Sequence, residues 1–180
     1  QDAYNGYSVL KDNAKMDENI LTAKTGMMRS AYRSGDYDNA VKVSALVEID
    51  AVADSAQLRE AVYVRAKSLL STSRRSEAVK LFERLSAQPS TAEGAEAVYV
   101  LVQNTYDSGD FAGVEPKVYD FASKCGTQSY WLAKCYLVLG DSFAEPGNLK
   151  QAKATFESLR DGYASSGETD DIQTNVKLRL

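Results

Sequence analysis

The feature that most constrains this chain is that it repeats itself. Glu60-Ala61-Val62-Tyr63-Val64 returns as Glu96-Ala97-Val98-Tyr99-Val100, 36 residues later. Gly35-Asp36-Tyr37 is echoed by Gly109-Asp110-Phe111, 74 residues on, and by Gly147-Asn148-Leu149 after a further 38. A period of a few dozen residues marks an array of one supersecondary unit, in which each copy buries its apolar face against the next. Each Gly–polar–apolar triplet falls where one helical pattern stops and another begins. Glycine accepts the left-handed conformation that ends a helix. The neighbouring Asp or Asn can cap the helix that follows.

Within each period the apolar residues recur at helical spacing. Ala78, Phe82 and Leu85 follow i, i+4, i+7 even though Ser73-Arg74-Arg75 replaces the glycine turn of the second copy. Small or branched residues at Ala40, Ala78, Val114 and Ala152 let paired helices approach closely. The pattern predicts first helices over 18–34, 55–72, 91–108 and 127–145. Second helices are predicted over 37–50, 75–87, 111–124 and 149–164. Further helical pieces are expected at 4–13, as the second helix of a preceding pair, and at 171–180. Gln88-Pro89-Ser90-Thr91 reads as a helix break. No stretch alternates strictly, so strands are not expected. The whole of 1–180 reads as one array, with repeats at 18–50, 55–87, 91–124 and 127–164 and partial helices at both ends.

Composition narrows the function classes. The chain of 180 residues is 44% hydrophobic and 26% charged, as folded soluble proteins are. Its net charge of −4 gives no basic footprint for nucleic acid. No apolar run approaches the roughly 20 residues that span a bilayer, so membrane insertion is not expected. The chain begins at Gln1 without an initiator Met, which fits a mature form or a fragment of something longer. It has no histidine, so the commonest general base and transition-metal ligand is missing and Ser-His-Asp or Cys-His arrangements are ruled out. Its carboxylate pairs, such as Asp36/Asp38 and Asp107/Asp110, sit at turns, where Asp is a turn former. There is no glycine-rich phosphate loop, paired CxxC or calcium loop. The expectation is therefore no catalytic residue, no metal and no cofactor. Cys125 and Cys135 allow either buried free thiols or one bridge, which needs Cα atoms within about 7 Å.

The fourth pair resembles a tetratricopeptide repeat. Tyr136, Leu139, Gly140 and Phe143 fall on the aromatic, Leu, Gly and aromatic positions of that consensus. Gly147, Leu149, Ala152 and Phe156 follow in register, with Leu149 in place of the usual Tyr. The first copy matches through Gly35, Tyr37 and Ala40. The third keeps Gly109 and Phe111 but carries Val114, and Pro116 in the first turn of its second helix. The period of 36 to 38 exceeds the 34 typical of the family. The resemblance covers residues 18 to 164. It implies an all-α fold, a right-handed α-solenoid of antiparallel helix pairs whose first helices line a concave face. The run Tyr130 to Cys135 leading into Leu139-Gly140-Asp141 more weakly resembles large repeat proteins of Gram-negative Bacteroidetes-type bacteria, many of them envelope-located. That implies a periplasmic or envelope location, the other being cytoplasmic.

Alignment on the turns places Thr25, Arg29, Tyr32 and Arg33 of the first repeat on the concave side. Tyr63 and Lys67 follow from the second, Tyr99, Gln103 and Tyr106 from the third, and Lys134, Leu137 and Asp141 from the fourth. Tyr offers a ring and a hydroxyl, as peptide recognition requires. Arg29, Arg33 and Lys67 suit a partner's carboxylate. The same side chains also serve packing, for Tyr, or a solvated helix face, for Arg and Lys. The function implied is a non-enzymatic module that holds a protein or peptide segment. The alternative is one section of a longer solenoid serving as an assembly scaffold, with further repeats of the same chain as its partners.

Overall fold

The computed structural model describes residues 2–125, 127–165, 167 and 170–180, and Gln1 lies outside them. The described residues form ten helices and no strand. In chain order these are α1 (Asp2–Asn13), α2 (Asp17–Arg33), α3 (Tyr37–Glu48), α4 (Ser55–Ser71) and α5 (Arg75–Ser86), then α6 (Ala92–Asp107), α7 (Val114–Lys124), α8 (Ser129–Ala144), α9 (Leu149–Gly162) and α10 (Ile172–Arg179). The fold is all-α, as expected, and consecutive helices pack on one another from α1 to α4 and from α6 to α10. Most boundaries fall within two residues of those the periodicity predicts. The chain separates into two compact units, Gln1–Leu85 and Ser86–Leu180.

The turn chemistry is visible in the backbone. Gly35, Gly109 and Gly147 have φ of 76°, 81° and 87°. In the second copy Ser73 adopts the same left-handed state at φ 59°, a strain of about 1 kcal/mol for a residue with a Cβ. Its turn is held by Arg74 N–H donating to Leu69 O at 2.8 Å. The caps differ in quality. Asp54 and Gln57 make a reciprocal capping box at the start of α4, and Asn148 accepts from Gln151 N–H at the start of α9. Asp36 caps α3 through Asn39 N–H. Asp110 instead accepts from Gly113 N–H at 3.0 Å, folding 110–113 into a separate turn. This is why α7 begins at Val114, three residues later than its periodicity predicts. Pro116 then sits in the first turn, where a missing N–H leaves no helical bond unmade.

In the first unit α2 packs between α1 and α3, and α4 packs on α3. Met28, Ala31, Val43, Val47, Ala61 and Val64 form its core. Gly26 lets α1 come close, since a Cβ there would lie 2.5 Å from the Tyr7 ring. Glu48 joins three helices, accepting from Arg65 of α4 and Arg84 of α5, each at 3.1 Å. In the second unit α8 is central and touches α6, α7, α9 and α10. One side of it packs with Val102, Val114, Val118 and Phe121, the other with Phe156, Ile172 and Val176. Cys125 and Cys135 are free thiols buried in this unit, and burial pushes the Cys135 thiol upward from its ordinary pKa.

Candidate functional site

Most residues expected on the concave face meet a neighbouring helix. Arg29 of α2 donates through Nε and Nη2 to both oxygens of Glu60 of α4, each at 2.6 Å. The Tyr99 ring lies 5.6 Å from that of Trp131 on α8. Tyr106 donates its hydroxyl to Glu145 at 3.0 Å, and burial together with this bond pushes its pKa up to about 12. Lys134 donates to Asp171 at 2.7 Å, and Arg179 forks onto Asp141 at 2.8 and 2.9 Å. These partners stand roughly one period apart in sequence and join successive first helices, with α10 as the last member.

The remaining expected residues divide. Tyr32 packs edge-on against Tyr37 at 6.1 Å. Lys67 lies 5.9 Å over the Tyr63 ring. Gln103 donates to Asp107 within its own helix. Leu137 is 4% exposed and belongs to the same buried cluster as Ile172 and Val176 of α10. Arg33 is exposed and has no hydrogen bond or ion pair among the described residues.

Asp171 fastens α10 to α8 and its protonation should loosen that helix. The hydrogen bond from Lys134 holds its carboxyl below the ordinary carboxylate value. Its stabilising contribution is therefore complete above about pH 4 and is lost as pH falls through the lower folded value. The Val176 methyl signals in NMR spectra should move below about pH 4 in the parent chain and show no such step in Asp171→Asn. Identical titration curves for the two would contradict this linkage.

Clefts open on the surface of the described residues, and two of them bear on function. The first runs along α2, has a volume of ≈ 320 Å³, and is lined by Thr22, Thr25, Gly26, Arg29, Ser30 and Arg33, with Tyr7 of α1 and Gln57 of α4 as walls. Residues 22, 25, 26, 29, 30 and 33 follow i, i+3, i+4, i+7 and so form one stripe of the helix. It gathers three of the expected residues, Thr25, Arg29 and Arg33. Tyr7, Thr22, Ser30 and Gln57 were not anticipated, although the polar stripe itself is legible at helical spacing. The Thr25 hydroxyl is buried with no hydrogen-bond partner among the described residues.

The second cleft, of ≈ 600 Å³, lies over α8 and α9. Leu132, Tyr136, Leu139 and Phe143 contribute from α8, Ala154, Thr155 and Ser158 from α9, and Tyr119 and Tyr163 close it. None of these side chains is charged, and the surface is mainly apolar with scattered hydroxyls. The concave-face alignment does not reveal it, because α8 shares its wall with the second helices α7 and α9.

Among the described residues no helix is long and apolar enough to cross a membrane, and no group of three or more His, Cys, Asp or Glu is placed to hold a metal ion. No family model, curated protein or solved structure matches the chain.

Proposed function

We propose that this chain is a non-enzymatic protein-interaction module of the tetratricopeptide type that holds a peptide or protein segment. The observation that carries this reading is the α8–α9 groove. Aromatic and aliphatic walls with a few hydroxyls match the composition of surfaces that accept side chains from a partner, and Tyr119, half exposed at 51%, stands at its rim. As part of the same proposal, the pairs stack into a right-handed superhelix with the first helices on its inner face. The chain works in the periplasm or envelope of a Gram-negative bacterium.

Panning a peptide library on the folded chain tests the reading. We expect enrichment of apolar and aromatic segments whose binding falls tenfold or more, roughly 1.4 kcal/mol, when the exposed Ala154 is replaced by Arg to fill the groove. No enrichment, or equal binding by Ala154→Arg, would refute it.

One observation favours a second reading, a section of a longer solenoid that serves as a scaffold. The side chains expected to meet a partner are largely engaged with the next first helix, as Arg29 with Glu60 and Lys134 with Asp171. Such contacts suit propagation of an array.

A further inference from the structure

We propose that the cleft along α2 is a binding site for a phosphoryl group. Its chemistry and its place in the first unit are separate from the groove on α8 and α9, so it goes beyond the module reading and can fail without it.

The case begins with charge and donors. On a chain of net charge −4, this cleft has two guanidinium groups on its wall and no carboxylate among its lining residues. Arg33 engages nothing among the described residues, so all five of its N–H groups are available. Glu60 takes Nε and Nη2 of Arg29 and leaves Nη1 open. Gln57 uses its Oε1 to accept from Asp54 N–H at 2.9 Å, and its Nε2 has no described partner. The Ser30 hydroxyl has none either.

The second observation is Thr25. Its side chain is part of the cleft wall, the residue is 5% exposed, and its Oγ1 has no hydrogen bond among the described residues. Leaving a buried hydroxyl without a partner is unfavourable. The neighbouring Thr22 shows the alternative, since its hydroxyl donates to Glu18 O at 2.8 Å in the manner of a helical Thr. A ligand oxygen in the cleft would supply the partner that Thr25 lacks.

Helical side chains lean toward the N-terminus of their helix, so Arg33 reaches back over Ser30 and Arg29. Donors then arrive from α2 and, through Gln57, from α4. A carboxylate offers two coplanar oxygens and is satisfied by one guanidinium edge. A phosphoryl group offers three oxygens in a tetrahedral arrangement and up to two negative charges, which matches a cleft whose donors exceed what a planar anion can use. A volume of ≈ 320 Å³ admits that group with part of whatever carries it.

The test is an NMR titration of the full chain with inorganic phosphate, O-phosphoserine and acetate at matched ionic strength. Expected are saturable shifts of the amides of residues 25–33 with the two phosphoryl probes and none with acetate. Arg33→Gln should weaken phosphate binding roughly tenfold or more, as loss of a charge-assisted bond does. Thr25→Val keeps the shape of the side chain, and it should weaken binding severalfold while leaving the melting temperature equal or higher. Tighter binding of O-phosphoserine than of phosphate would make the natural ligand a phosphate ester, and equal binding would make it free phosphate; both uphold the site. Shifts that do not saturate, that survive Arg33→Gln unchanged, or that acetate reproduces would overturn it.

Discussion

Replacing Phe121 by Ala is expected to destabilise the second unit by about 3–5 kcal/mol, the range for truncating a fully buried aromatic ring. Phe121 is 1% exposed and shares a buried cluster with Val114 and Val118 of its own helix, Val102 of α6, and Cys135 and Leu139 of α8. These neighbours are short or branched and anchored on separate helices, so they cannot close over the space a ring leaves. The measurement has a built-in reporter, because Trp131 is the single Trp of the chain and packs against the same cluster. Its fluorescence during urea unfolding should show the loss. Tyr119 lies two residues away on the same helix and is 51% exposed, so Tyr119→Ala should change stability by no more than about 0.5 kcal/mol. A loss below about 1 kcal/mol for Phe121→Ala would mean that the cluster repacks around the vacancy.

Gly140→Val should cost about 3 kcal/mol, toward the upper end for overpacking. A Cβ at Gly140 would lie 2.2 Å from one ring carbon of Phe156 and 2.5 Å from another. Both residues are buried, Phe156 at 3% exposure, and a rigid ring cannot bend out of the way. The helix propensity of Val exceeds that of Gly by only a few tenths of a kcal/mol, too little to offset the clash. Phe156→Ala alone should cost about 3–5 kcal/mol through a cavity. In the double variant the new Val enters the space that the ring vacates. Its stability should therefore sit near that of Phe156→Ala, with a coupling of about 1–3 kcal/mol. Strict additivity of the two losses would show that Gly140 and Phe156 do not meet in solution.

Much of the fold is legible in the sequence because it rests on local rules. Glycine at 35, 109 and 147 announces a left-handed turn, and the spacing of Ala78, Phe82 and Leu85 announces a helix even where Ser73 replaces that glycine. What fails locally is instructive. The start of α7 is displaced because the Asp110 side chain bonds to Gly113, a competition that periodicity does not register. The reasons for Gly26 and Gly140 appear only once Tyr7 and Phe156 are seen against them. At the site, alignment on the turns could say which side chains share a face but not what stands opposite. It placed Arg29, Lys134 and Asp141 on the side of the first helices, yet Glu60, Asp171 and Arg179 face them. The buried state of Leu137 has the same cause, since α10 lies against it. The groove over α8 and α9 depends on how second helices are spaced, which no single helix encodes.

The contacts that join first helices also carry information about sequence order. The α6–α8 contact is made by uncharged Tyr and Trp side chains with one carboxylate, Tyr99 stacked near Trp131 and the Tyr106 hydroxyl on Glu145, whereas α8–α10 is held by opposite charges at both ends, Lys134 to Asp171 and Asp141 to Arg179. A helix written for one of these places offers the wrong chemistry in the other, because a carboxylate set against a ring finds no cation and loses its water. A hairpin moved from one of these two seams of the second unit to the other would meet the wrong partner chemistry, so the pieces on either side of α8 are numbered parts, not interchangeable bricks.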